Sequence, residues 1–324
     1  MIINDLVYGK KKIESKAIIE LIKSAPLQRL KKIAQYGIPD ELYYRKNFTR
    51  FEHSIGVMLL LKKLGASEKE QIAGLLHDVS HTAFSHLIDW VVGEGYIEDE
   101  NFQDKSHKKF INSKHLSKIL KKYQFNPKEI FEYKEFGLLE RPIPMLCADR
   151  ADYSLREFPK DVARKCLNSI IVINGKMVFK NKASAFLFAK YFLKSQMTHW
   201  GGFEANARYR IFANLLKYAM DKKIINFGDF WKYDEYVISK LKKSKDEKIL
   251  KTFKIFKKKS LRSYPMSKVL AKRKFRRVDP LFLQKNKILT LSSQSKEFTK
   301  LLTKAKIEND HGTPIPILEY FGGV

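Results

Sequence analysis

The stretch Gly74-Leu75-Leu76-His77-Asp78-Val79-Ser80-His81 decides how the rest of the chain is read. An adjacent His and Asp close an apolar helical run, and a second His follows four residues later. Upstream, Ile72, Ala73, Leu75 and Leu76 recur at helical spacing, and Ser67 with Glu70 has the form of a capping box. Before that, a helix is predicted from about Phe51 to Leu64, with Gly65 as its C-terminal stop. Two helices joined by so short a loop pack antiparallel, which sets the start of one beside the end of the other. His53 is thereby brought to His77 and Asp78.

Imidazole beside carboxylate is a metal-ligand pairing, and a metal site needs a further donor. Cys147-Ala148-Asp149-Arg150-Ala151-Asp152-Tyr153 is the best source, because an unpaired Asp149 on an otherwise apolar helix would be costly. The plainer readings are a salt bridge for Asp149 and a buried helix-capping role for His77. Two imidazoles and two carboxylates suit Mn, Fe, Zn, Co or Ni, and Mg less well. His77 and His81 have zinc-protease spacing, but that motif requires Glu after the first His, and Asp78 stands there.

The chain has 324 residues, 44% apolar and 13% aromatic, enough for a substantial core. Its net charge of +28, from 63 Lys+Arg against 35 Asp+Glu, implies an anionic partner or a lysine-rich bias spread over solvated faces. Cys147 and Cys166 form no Cys-x-x-Cys pair, which excludes a disulfide scaffold and suits a cytoplasmic location. The first residues lack a signal-peptide pattern, and no apolar run is long enough for a membrane span.

Further out, Gly9 marks a turn, and helical patterns cover Phe84 to Val92, 107–122, 127–137, Met145 to Glu157, 183–199 and 203–221. Ile170 to Ile173, Asn174-Gly175, and Lys176 to Phe179 predict a β-hairpin. From Lys240 to Arg277 there are seventeen Lys/Arg, with only Asp246 and Glu247 as acids. Phe253, Phe256, Tyr264 and Phe275 interleave there and could stack the bases of RNA or single-stranded DNA. Short strands are expected at Ile288 to Leu291 and Ile315 to Leu318, around a helix near 295–306. The expected fold is mainly α: a helical bundle over 1–221 with small β-hairpins, and a basic α+β part over 222–324.

Histidine, then His-Asp, then a distant Asp resembles the signature of the HD metal-dependent phosphohydrolases. Ile3 to Gly9, Leu27-Gln28-Arg29-Leu30, Ile33 to Gly37, Arg50 to Val57, Leu75 through His86, and Asp149 to Tyr153 resemble consecutive motifs of one branch, the deoxynucleoside triphosphate triphosphohydrolases. Val278-Asp279-Pro280 and Pro314-Ile315-Pro316-Ile317 resemble that group's C-terminal part. The resemblance implies His53, His77, Asp78 and Asp149 as ligands of one divalent ion, with a second Mg accompanying the nucleotide. It implies His81 and His86 as phosphate contacts, and Asp89 with His107 as a catalytic acid/base pair. Arg50 and Arg150 would be phosphate-binding cations, Gln35 a sugar-hydroxyl reader, and Tyr153, Glu157 and Tyr209 residues around the sugar.

Several positions depart from that branch. Tyr36 stands where Leu is usual, Arg150 where Lys is common, and Glu157 replaces a shorter Asp. The branch's Arg near Gly201-Gly202 is missing, with Arg208 or Arg210 as candidate substitutes. The resemblance implies hydrolysis of a nucleoside triphosphate to nucleoside and triphosphate, in a homo-oligomer away from membranes. The rivals are a phosphodiesterase on RNA or single-stranded DNA acting through 240–277, and a non-catalytic nucleotide-sensing or nucleic-acid-binding module.

Overall fold

The computed structural model describes residues 1–93, 102–111, 114–132, 136–271 and 274–318. Its centre is the helix pair Arg50–Lys63 and Glu68–Leu76. Thr49 and Glu52 close a full capping box on the first helix. Ile55 through Leu61 are all buried, so this helix has no solvent face and lies inside the bundle. Gly65 ends it at φ +77°, and its Ala66 N–H donates back to Leu61. The expected box at Ser67 is only half made. Ser67 accepts from the Glu70 amide, but the Glu70 carboxylate accepts from Leu138 and Leu139 N–H at 2.8 and 3.0 Å, fastening a distant loop instead.

Around this pair pack the helices Lys16–Lys23, Lys114–Lys122, Ala148–Glu157, Lys160–Ser169 and Lys182–Ser195, forming one apolar core. A second core gathers on the helix Phe203–Asp221, where Phe84, Phe212, Phe230 and Phe256 meet edge to face.

Several element bounds differ from the sequence reading. The helix expected from Phe84 begins at Leu87, because Phe84 and Ser85 turn through φ 65° and 51°. The helix expected from Met145 begins at Ala148, behind Cys147. The pattern 107–122 is two helices, Phe102–Ile111 and Lys114–Lys122, and that at 127–137 is the short helix Pro127–Phe131; residues 112–113 and 133–135 lie outside the described residues. The pattern 183–199 ends as an α-helix at Ser195 and continues as a wider turn, Gln196–Trp200.

The hairpin Ile170–Ile173/Lys176–Phe179 forms with Asn174 and Gly175 at φ 51° and 67°, the handedness its twist requires. A second hairpin, Leu281–Gln284/Lys287–Thr290, turns at Lys285 and Asn286 with the same positive φ. The two join through a parallel pair, Val178 with Leu281 and Phe179 with Phe282, into one four-stranded sheet. Gly9 indeed turns the chain, but between two strands, Ile2–Asp5 and Gly9–Lys12. Met266–Ala271, inside the basic stretch, pairs with Thr313–Pro316. Among the described residues no helix is long and apolar enough to cross a membrane.

Candidate metal centre and cavity

His53 lies on the first turn of the Arg50–Lys63 helix, and His77 at the end of Glu68–Leu76, with ring centroids 5.1 Å apart. Asp149, on the first turn of Ala148–Glu157, completes the group. Its Oδ1 is 3.0 Å from His53 Nε2 and 3.6 Å from His77 Nε2. Asp78 Oδ2 is 3.8 Å from His53 Nε2, and Asp78 Oδ1 is 3.4 Å from His77 Nε2. His53, His77 and Asp149 therefore form a group that could hold a metal ion, with Asp78 beside it.

Partners behind the imidazoles fix their tautomers. Asp152 Oδ2 is 2.7 Å from His53 Nδ1, and the Gly74 carbonyl oxygen is 2.7 Å from His77 Nδ1. Each Nδ1–H therefore donates outward and turns Nε2 toward the carboxylates. A positive charge, carried by a proton or by a metal ion, satisfies each Nε2 against the facing carboxylates, and His53 Nε2 lies within hydrogen-bond distance of Asp149 Oδ1. His77 Nε2 is moreover buried with no hydrogen-bond partner. The donor set and its geometry fit a divalent ion held by His53, His77, Asp78 and Asp149.

The carboxylates draw positive charge to this spot. Burial opposes charge on His77, but Asp78 and Asp149 outweigh it and push its pKa up to about 9. His53 is raised likewise, against its burial, by Asp149 and Asp152. Asp78 and Asp149 are held well below the usual carboxylate range despite burial, Asp78 chiefly by Arg50 and Asp149 by the two histidines.

Asp152 was not singled out by the sequence reading, yet it organises this support. It also accepts from Tyr8 Oη at 2.8 Å and Arg156 Nε at 2.7 Å, while Arg156 Nη2 reaches Asp5 at 2.8 Å. The N-terminal hairpin thus braces His53. Gly56 makes room: a Cβ there would collide with Asp152 Oδ1 and Arg156 Nη2. The available signal was the spacing of Asp149 and Asp152, which puts two acids on one helix face.

A cavity of about 570 Å³ opens over the cluster. Of the predicted residues, Gln35, Arg50, His77, Asp78, His86, Asp149, Arg150, Tyr153, Glu157 and Tyr209 line it. Gln35 Oε1 is buried without a hydrogen-bond partner. Arg50 donates to Asp78 Oδ2 at 2.7 Å, and Arg150 donates to Glu140 at 2.7 Å. His86 Nδ1 lies 3.5 Å from Asp89 Oδ2. His81 is set behind the wall, 3.2 Å from Asp78 Oδ1, and burial with Arg50 holds its pKa well down. His107 is buried beside Ser80, at 3.3 Å, and against the Phe131 ring. His53, His81, Asp89 and His107 are not on the lining.

Other lining residues were missed. Glu140 and Arg141 come from the loop before Cys147. Lys274 and Arg276 come from the basic stretch, where charge alone did not reveal which cations turn inward. Arg208, a suggested substitute for the missing Arg, is fully buried and donates to the carbonyls of Leu42, Phe256 and Lys258, so it is structural. His199 lies on the wall within the wider turn: Nδ1 is 2.9 Å from Glu157 Oε2 and Nε2 is 2.9 Å from Tyr43 Oη. Glu157 also accepts from Trp200 Nε1 at 2.5 Å, and the Tyr36 ring packs edge-on to His199 at 4.4 Å. Burial, with Glu157 nearby, pushes the Tyr36 hydroxyl pKa well up.

With this geometry in place, the comparisons with known proteins agree. The HD domain family matches residues 50–157. The uncharacterized protein YdhJ of Bacillus subtilis is 36% identical over 335 residues, covering 98% of this chain and 100% of its own. The metal-dependent phosphohydrolase cns2 of Cordyceps militaris is 38% identical over 160 residues, 48% of this chain and 45% of its own, so the chain spans less than half of that relative. A crystal structure of a phosphohydrolase, BT4208 of Bacteroides thetaiotaomicron, superposes with a TM-score of 0.67 at 16% identity over 94% of this chain and 96% of its own, a likeness of fold. The chain belongs to the HD-domain metal-dependent phosphohydrolases.

Proposed function

We propose that this phosphohydrolase cleaves nucleoside triphosphates to nucleoside and triphosphate, with its divalent ion held by His53, His77, Asp78 and Asp149. The observation that carries the reading is the make-up of one cavity wall. The cluster shares it with the cations Arg141, Arg150, Lys274 and Arg276 and with polar and aromatic groups suited to a nucleoside, namely Gln35, Tyr153 and Tyr209. The motif resemblance to deoxynucleoside triphosphate triphosphohydrolases supports the same choice.

A divalent ion in such a site polarises a phosphoryl oxygen and lowers the pKa of water. The chain's own residues do the rest. Arg150, Lys274 and Arg276 offset the charge of the phosphate tail, and Arg50 holds Asp78 in place. As water adds at the α-phosphorus and the bond to the nucleoside 5′-oxygen breaks, that oxygen requires a proton. His86, on the wall and beside Asp89, supplies it as general acid, whereas His107 sits behind Ser80 and supports the fold of that wall. The orphaned Gln35 Oε1 accepts from a sugar hydroxyl. Trp200 and His199 occupy the Glu157 carboxylate, so Glu157 shapes the wall through His199 instead of reading the sugar itself.

The test is a screen of Mn2+-supplemented protein against nucleotides and oligonucleotides with products identified by mass. Triphosphate release from nucleoside triphosphates is expected. Orthophosphate from monophosphates alone would make the enzyme a nucleotidase, and nucleoside monophosphates from oligomers would make it a nuclease.

A further inference from the structure

Asp234 begins the helix Asp234–Lys243, 85 residues beyond the last proposed ligand in sequence, yet it is buried at the heart of the site's support. Its two oxygens accept backbone N–H groups from two separate segments: Oδ2 from Ala34 and Oδ1 from Phe84, both at 2.8 Å. Ala34 precedes Gln35, and Phe84 lies two residues before His86. Neither segment keeps its shape unaided. Phe84 and Ser85 hold positive φ, which is costly for residues with side chains, and Gly37 turns at φ +72°.

The link continues to the cluster. Ser85 Oγ donates to the Ala34 carbonyl at 2.7 Å and accepts from Arg50 Nε at 3.0 Å, and Arg50 Nη1 donates to Asp78 Oδ2 at 2.7 Å. Neighbours of Asp234 fasten the same loop. The Phe230 carbonyl accepts from Ala83 N–H at 2.7 Å, and Arg29 bridges the carbonyls of Val79, His81 and Lys232. The contacts from Asp234 through Ser85 and Arg50 to Asp78 are continuous, so a change at one end is felt at the other.

We propose that Asp234 is a positioning residue for the reaction: it ties the Ala34 and Phe84 turns together so that Gln35 and His86 face the cavity and Arg50 keeps Asp78 turned toward the ligand cluster. The inference rests on the proposed ligand set, and it gives the C-terminal region a part in the centre besides its surface charge.

Asp234→Asn keeps the shape and one acceptor but sets an amide N–H2 against the second backbone N–H. Supporting groups of this kind typically change metal affinity or activity by about 10–100-fold. We expect a loss in that range in Mn2+ affinity by calorimetry and in kcat/KM at saturating Mn2+, in a metal-free protein that still melts cooperatively. Ser85→Ala breaks the next link and should cause a comparable loss. Because both act through Arg50, the double variant should lose little more than the larger single one. Wild-type Mn2+ affinity in Asp234→Asn, or losses that multiply in the double variant, overturns the proposal. Should Asp234→Asn fail to fold, Ser85→Ala decides alone, with wild-type Mn2+ affinity overturning it. Mn2+ titration needs no substrate, so a failed substrate screen refutes the proposed reaction and leaves this result standing.

Discussion

His53 and His199 are built alike and serve different ends. Both are buried, and each has its Nδ1 beside a carboxylate, Asp152 at 2.7 Å and Glu157 at 2.9 Å. The difference lies at the other nitrogen. His53 Nε2 faces the carboxylates of Asp149 and Asp78, an arrangement that calls for a cation. His199 Nε2 meets the Tyr43 hydroxyl, which satisfies it with a hydrogen bond. An orienting carboxylate therefore does not make a histidine a ligand. What its far nitrogen meets decides that.

The two regions should respond differently to equivalent changes. The largest effect is expected at the cluster, where His77→Ala or Asp78→Ala should abolish metal-dependent turnover. Chelation should do the same, with recovery on adding Mn2+. Persisting turnover in both variants would break the assignment.

The paired test of the comparison is Asp152→Asn against Glu157→Gln. The first should weaken Mn2+ binding by about 10–100-fold, as loss of a ligand-orienting group does. The second should leave Mn2+ affinity unchanged and raise KM for the nucleotide. Equal effects on Mn2+ affinity would mean the regions are not distinct. Gly56→Ala sharpens the point, because its methyl group strikes Asp152 and Arg156. It should cost about 1–3 kcal/mol by overpacking, readable in denaturant melts, together with weakened Mn2+ binding.

On the cavity wall, Lys274→Gln with Arg276→Gln should raise KM for triphosphates by about tenfold with kcat retained, as expected when uniform binding is removed. The effect should shrink for monophosphates. An equal loss for both would move these residues away from the tail.

The smallest effect concerns pH. Burial raises the Asp234 carboxyl to about 7 against hydrogen bonds from Ala34 and Phe84 and the nearby Arg29 and Arg50. A raised folded-state pKa gives stability that is fully present below the unfolded value near 4 and is lost as pH rises through about 7. The melting temperature of the metal-free wild type, measured relative to Asp234→Asn, should therefore fall between about pH 4 and 7 and level off above. A flat difference would contradict the shift.

Much of the cluster was legible because its determinants are local. A capped helix, a glycine stop and an apolar period predict the Arg50–Lys63 and Glu68–Leu76 pair, and antiparallel packing then brings His53 to His77. Asn174-Gly175 made one hairpin readable, whereas Lys285-Asn286 hid the other, because neither residue demands the positive φ it adopts. The turn at Phe84 and Ser85 was equally hidden: Asp234, distant in sequence, holds it in place.

By itself, then, the sequence determined the helical core, since its pattern follows from residues within one or two turns of each other, while the ligand set and the phosphate chemistry were legible only through the resemblance of separated motifs to a known family. Tertiary structure alone decided which imidazole faces carboxylates and which faces a tyrosine, which of seventeen clustered cations reach the cavity, and that Asp152 and Asp234 stand behind the site. Those outcomes depend on contacts between segments far apart in the chain, and a buried polar group's role is set by the partner that satisfies it.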